Sequence, residues 1–167
     1  MLQILVRIFL ISFIVIISFT GKSQVADSIR ITTKHEKTNL DIIHQFHSTK
    51  GYIKKFIESG LMSEDVEWFV PGPKEILPFA GTWKGAEGIS EFNRLLGSVM
   101  RYDKTEIKEY IVDGDHVAAI FLGEGIAKST GKPFKSEILR LYTFKDGKII
   151  RVRNFYDTAS YVAAVTK

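Results

Sequence analysis

The hydrophobic pattern changes character several times along the chain, and each change predicts a different kind of element. Residues 8–19 (IFLISFIVIISF) form an unbroken apolar or near-apolar run without periodicity. Residues 25–37 (VADSIRITTKHEK) are polar and weakly patterned, and read as a loose leader. From Thr38 the spacing becomes helical: Leu40, Ile43 and Phe46 recur on one face, then Ile53, Phe56 and Ile57 after an interruption at Gly51. Two helices, or one kinked helix, therefore end at Gly60, a natural glycine past a helix C-terminus. Residues 66–70 (VEWFV) are β-branched and aromatic and read as a strand stopped by Pro71-Gly72-Pro73. The Pro- and Gly-rich stretch up to Gly85 reads as a loop. Residues 86–100 return to helical spacing, with Ile89, Phe92, Leu96 and Val99 on one face.

Beyond that point the character is all strand. Runs at 105–112, 116–128, 133–144 and 149–156 are separated by Asp113-Gly114-Asp115, Ser129-Thr130-Gly131-Lys132 and Lys145-Asp146-Gly147-Lys148. An Asp-Gly pair between alternating runs favours a hairpin, because its tight turn needs positive φ at both central residues. A last short helix spans 158–165. The order of helices, strand, helix and four antiparallel strands predicts an α+β domain over 38–165. The expected form is a cone-shaped barrel: a curved antiparallel sheet, with the N-terminal helices and a third helix packed on its concave face around a pocket.

Composition changes this picture at the N-terminus. Arg7 precedes the apolar run, and small residues Gly21 and Ser23 follow it, so residues 1–24 read as a secretory signal peptide. The run is shorter than the ~20 residues that span a bilayer, which makes a permanent anchor the alternative. The expected location is secreted or periplasmic, with no membrane association after signal removal. Without its signal the chain carries 21 basic and 19 acidic residues, a balance that gives no electrostatic reason to expect nucleic acid. The chain has no cysteine, which excludes disulfides, thiolate catalysis and thiolate metal ligation.

The stretch VEWFVPGP…LPFAGTWKGAEGI, followed by TGKPF and TFKDGKIIRVRNFYDT, resembles the SnoaL-like polyketide cyclase group. That group belongs to the nuclear transport factor 2-like superfamily, with ketosteroid isomerase and limonene epoxide hydrolase. The resemblance implies a conical α+β barrel whose pocket takes small, mainly apolar or aromatic molecules without cofactor or metal. It also places the family's catalytic groups. The cyclases' carboxylate on the last strand falls at Asn154, and their histidine on the preceding strand falls at Arg140. The isomerases' base falls at Val70, their oxyanion-hole acid again at Arg140, and their helix-one tyrosine nearest Phe46 or Tyr52. The hydrolases' aspartate–arginine–aspartate set leaves Arg140 and Asp157, without a second inward aspartate. By this resemblance the chain keeps the pocket and lacks both sets of proton-transfer groups: an amide takes up no proton at neutral pH, and a guanidinium stays charged.

The residues themselves point the same way. Strand period puts Ile138, Arg140 and Tyr142 on one face, opposite Val152, Asn154 and Tyr156 across the hairpin. Arg140 and Asn154 amid aromatics suit a carboxylate, carbonyl or enolate oxygen; alternatively Arg140 pairs structurally with Glu124 or Glu137, or faces solvent. Asp157 precedes the last helix, where a carboxylate caps backbone amides; its other reading is the catalytic base. Trp68 is either pocket wall or core, and Trp83 either lid or plug. His44 and His47 form either a solvated helix face or part of a metal site, and no metal is expected. Two functions stand: an exported module binding a small apolar or aromatic ligand through Trp68, Arg140, Tyr142, Asn154 and Tyr156, or a cofactor-free isomerase, cyclase or epoxide-hydrolase-like enzyme. Apolar residues on the opposite strand face, Leu139, Leu141 and Phe155, predict a homodimer.

Overall fold

The computed structural model describes residues 34–49 and 52–167. The expected signal segment 1–24 and residues 25–33 of the expected leader 25–37 lie outside the described residues, while residues 34–37 of that leader are helical. Helix α1 (Lys34–Ser48) starts four residues before Thr38, because Glu36 and Asn39 turn inward. Glu36 accepts from the backbone N–H of Gly114 at 2.9 Å, and Asn39 donates to the Gly114 carbonyl at 3.3 Å. Polar side chains that tie the helix to a distant turn carry no hydrophobic period, so the apolar spacing begins late. Helix α2 (Tyr52–Glu58) buries Ile53 and Phe56. It closes on Gly60 at φ 73°, with Gly60 N–H bonding the Ile57 carbonyl and Leu61 N–H the Phe56 carbonyl. Those two bonds satisfy carbonyls left over at the helix end.

Six strands follow: β1 (Met62–Val70), β2 (Gly81–Lys84), β3 (Met100–Asp113), β4 (His116–Ala127), β5 (Pro133–Lys145) and β6 (Lys148–Tyr156). Helix α3 (Gly85–Val99) lies between β2 and β3, and α4 (Thr158–Val165) follows β6. They form one sheet in the order β2-β1-β6-β5-β4-β3. The expected antiparallel sheet is thus corrected to a mixed one: β1 runs parallel to β6, and the sheet does not close on itself. The chain lays β2 back along β1 and crosses through α3. It then meanders through β3, β4 and β5, so β6 arrives at the open edge of β1 in the same direction. The GTWK stretch expected as loop is this β2, whose register pairs Trp83 with Trp68. Gly85, at φ 61°, joins it to α3, where a Cβ would lie 2.8 Å from the Glu64 carbonyl oxygen.

The β5–β6 turn fulfils its sequence signal, with Asp146 at φ 51° and Gly147 at φ 73°. Such a turn fixes register, and it pairs Ile138 with Tyr156, Arg140 with Asn154 and Tyr142 with Val152. These side chains share the concave face with Val66, Trp68 and Val70 of β1 and with Val117, Ala119 and Phe121 of β4. The helices pack there: Phe46 of α1 meets Tyr142, Phe92 of α3 meets Trp68, and Tyr161 of α4 meets Phe134 and Tyr156. This is the α+β cone, with its core between helices and sheet.

Candidate ligand-binding site

Among the described residues, two adjoining cavities lie inside the cone, of about 390 Å³ and about 40 Å³. Both are bounded by Phe92, Leu96, Tyr102, Ile138 and Arg140. The larger falls in the lower part of the range typical of small-molecule sites, roughly 300–1,000 Å³. The smaller has room for little more than ordered water.

Arg140 stands where the cavities meet, and three neighbours fix it. Its Nε donates to Asn154 Oδ1 at 2.9 Å. Its guanidinium carbon lies 4.8 Å from the ring centre of Trp68 and 5.1 Å from that of Phe121. Aromatic faces attract a cation placed this way, so the planar group is held between rings as well as by its hydrogen bond. Asn154 in turn donates from Nδ2 to the Phe69 carbonyl at 2.8 Å. Position 154 therefore uses one acceptor and one donor at once. An amide supplies both, whereas an ionised aspartate would set a second oxygen against the Phe69 carbonyl. That is a physical reason for the amide where the resemblance expects a carboxylate.

The remaining expected residues are distributed unevenly. Trp68 lines the larger cavity and is buried, and its indole N–H has no acceptor among the described residues. Tyr156 lines the smaller cavity and donates to the Pro71 carbonyl at 2.6 Å. Val70, which stands at the isomerases' base position, is an apolar part of that same wall. Tyr142 is fully buried behind the wall, with its hydroxyl 2.7 Å from His47 Nε2, so it supports a lining residue rather than lining the cavity itself. Asp157 is outside both cavities: its Oδ1 accepts from the N–H groups of Ala159 and Ser160, at 3.0 and 3.3 Å. It caps α4. Trp83 is a plug, its indole N–H donating to the Phe79 carbonyl at 3.0 Å with the Lys74 ammonium over its ring.

The sequence reading missed His47 as a lining residue. The expected solvated helix face holds for His44, which is exposed, while His47 turns inward to the larger cavity. Its Nδ1 lies 2.9 Å from the Tyr110 hydroxyl, so both ring nitrogens have tyrosine partners. Burial lowers its pKa from 6.5 to about 3, and the nearby charges of Arg140 and then His44 add to the effect. The ring is neutral and hydrogen-bonded at both ends. A signal existed in the spacing Ile43, Phe46 and His47, which puts His47 at the edge of the apolar stripe. Tyr102 and Tyr161 were also missed. Their hydroxyls lie 2.6 Å apart, and burial raises the pKa of both phenols.

Among the described residues, the arrangement offers an apolar, aromatic-walled space, the Arg140 cation and neutral hydroxyls. Among the described residues, no aspartate or glutamate lines either cavity.

Residues 58–152 match the SnoaL-like domain family. UPF0523 protein B of Dictyostelium discoideum is 30% identical over 125 residues, covering 71% of this chain and 73% of that protein. The crystal structure of a nuclear transport factor 2-like protein from Burkholderia xenovorans LB400 superposes with a TM-score of 0.67 at 24% identity, covering 78% of this chain and 98% of that one. TerC, co-crystallised with polyporic acid, superposes with a TM-score of 0.61 at 26% identity, covering 77% and 98%. The chain belongs to the SnoaL-like domain family, and its fold is the one seen in nuclear transport factor 2-like proteins.

Proposed function

We propose that this chain is an exported single-domain protein that binds a small apolar or aromatic molecule in its interior cavity, holding a ligand oxygen at Arg140 without turning the ligand over. The observation that carries this reading is Arg140 itself, fixed by Asn154 and by two aromatic rings at the meeting point of the cavities. A preset donor among apolar walls is what a small-molecule site needs for orientation. The second reading, a cofactor-free isomerase, cyclase or hydrolase, draws on the same polar pair as a stabiliser of developing negative charge. It needs a proton acceptor with a pKa near the working pH. The lining histidine titrates at about 3, and the Asp157 carboxylate caps a helix.

Polyporic acid is a suitable first probe, because TerC was co-crystallised with it. The protein is incubated with polyporic acid and a panel of small aromatic and lipid-like compounds, separated from free compound, and extracted for mass spectrometry. Retention of one compound per chain, recovered unchanged and lost in Arg140→Met, is the expected result. Recovery of a chemically altered compound overturns the binding reading in favour of catalysis.

A further inference from the structure

The edge strand β3 breaks its own alternation beside the larger cavity. Tyr102 and Tyr110 both point into the cone, the one against the Phe134 ring and the other onto His47. In an unbroken strand Lys104, Glu106 and Lys108 would point inward with them, since alternate residues share a face. Instead the register against β4 shifts between Tyr102 and Lys104, and again between Ile107 and Glu109. Each shift is a bulge, whose extra residue re-aims the side chains that follow it. Between the two bulges Thr105 and Ile107 line the cavity, and Glu106 faces outward, ion-paired with Lys104 and Lys108. The bulges thus exchange three charges for one hydroxyl and one alkyl group at the cavity wall.

The same stretch is where the cavity reaches the surface. Among its described lining residues, Trp68, Phe92, Phe121 and Ile138 are buried, whereas Asn93, Thr105 and Ile107 are exposed. The mouth therefore lies between α3, which supplies Asn93, and β3. The Asn93 amide and the Thr105 hydroxyl make no hydrogen bond to another described residue, and each can both donate and accept. We propose that Asn93 and Thr105 determine specificity, selecting an aromatic or apolar molecule that carries an uncharged hydroxyl on the end left at the mouth. This rests on reading the cavity as a binding site, and it names the class of ligand. An alcohol donates and accepts, as both lip residues do. A charged end would meet an uncharged lip, because the bulges direct the ionic side chains of β3 away from it.

The test uses matched probes on the full-length chain: 2-acetylnaphthalenes carrying at carbon 6 either a hydroxyalkyl chain or an alkyl chain of equal length. Tethers of one to three carbons let the hydroxyl sample different depths, and titration calorimetry reads the affinities. At the best tether the alcohol binds about two- to twelvefold more tightly than its alkyl partner, the range that one neutral hydrogen bond adds. Thr105→Val keeps the shape and the branching at Cβ, and Asn93→Ala lies on an exposed helix position, so both variants fold. In each the preference for the alcohol shrinks while the alkyl compound binds as before, and Thr105→Ser restores part of it. Equal loss for alcohol and alkyl compound would mean a merely structural role and overturns the assignment. So does a wild-type protein that binds the two alike at every tether, or a preference that neither variant moves. In those cases the binding reading stands. If none of the acetylnaphthalenes binds, the binding reading fails and this inference fails with it.

Discussion

The neutral imidazole of His47 makes the folded protein sensitive to acid in a defined window. The unfolded chain takes up this proton near 6.5, and the folded chain does so only at about 3. Between those values the unfolded state binds more protons, so stability rises with pH there. Its contribution is complete above about 6.5 and is lost as pH falls towards 3, with a slope approaching about 1.4 kcal/mol per pH unit for one proton. His47→Gln removes that slope. Urea denaturation of wild type and variant at about pH 7 and about pH 5 checks it. The expected result is a larger acid loss in wild type, and parallel losses refute it. At position 154 the test is steric and polar together. Asn154→Leu strips Arg140 Nε and the Phe69 carbonyl of a shared partner in a buried site. The expected cost is about 1–3 kcal/mol in the same denaturation experiment. A smaller loss would mean that water replaces the amide.

Helix α4 is short, and its start depends on one side chain. Two N–H groups at the helix start are satisfied by Asp157 Oδ1. Asp157→Ala should cost about 0.5–2 kcal/mol by thermal melting, as cap removals do, with retention of the bound compound unchanged. Full stability with lost binding would instead make Asp157 the working group. This cap was legible in advance, because an aspartate ahead of an apolar helical run has a strong local reason to be there. The β5–β6 register was legible for the same reason: a two-residue turn at Asp146-Gly147 fixes the pairing by itself, and with it the meeting of Arg140 and Asn154. What the sequence did not reveal depends on distant partners. The four-residue β2 acquires its identity by pairing with β1, and the parallel β1–β6 contact joins residues as distant as Trp68 and Val152, 84 positions apart. The early start of α1 follows from the hold of Glu36 on Gly114, 78 residues away. His47 turns inward because Tyr110 and Tyr142, 63 and 95 residues later, receive its nitrogens. Pattern reading detects periodic burial, and a polar residue buried by remote partners gives it little to detect.

At the scale of the whole molecule, the outer face of the sheet is the feature that the interior does not explain. By register, Ile111, Ala118 and Leu141 form one row across β3, β4 and β5, and Ile120, Leu139 and Phe155 form the next across β4, β5 and β6. Ile111 and Phe155 are 48% and 41% exposed. A sheet with one face in water ordinarily alternates apolar with polar residues, and these rows break that rule at the middle of the face. Charge surrounds them. Glu106 bridges Lys104 and Lys108 on one side, and Glu67 pairs with Arg151 and Lys84 on the other. An apolar centre with a charged rim is the anatomy of a protein interface, so the proposed homodimer would place two such faces together. The rim ion pairs are exposed and contribute little to affinity, which leaves the apolar rows as the main attraction. Phe155→Glu and Leu141→Lys should each shift sedimentation at micromolar concentration from dimer to monomer, without changing retention of the bound compound, because neither side chain lines the cavities. Intact-mass spectrometry of the protein recovered after export tests the proposed removal of residues 1–24, and a mass that begins at Met1 refutes it. A wild-type protein that sediments only as monomer refutes the dimer, and the apolar rows would then need a different partner.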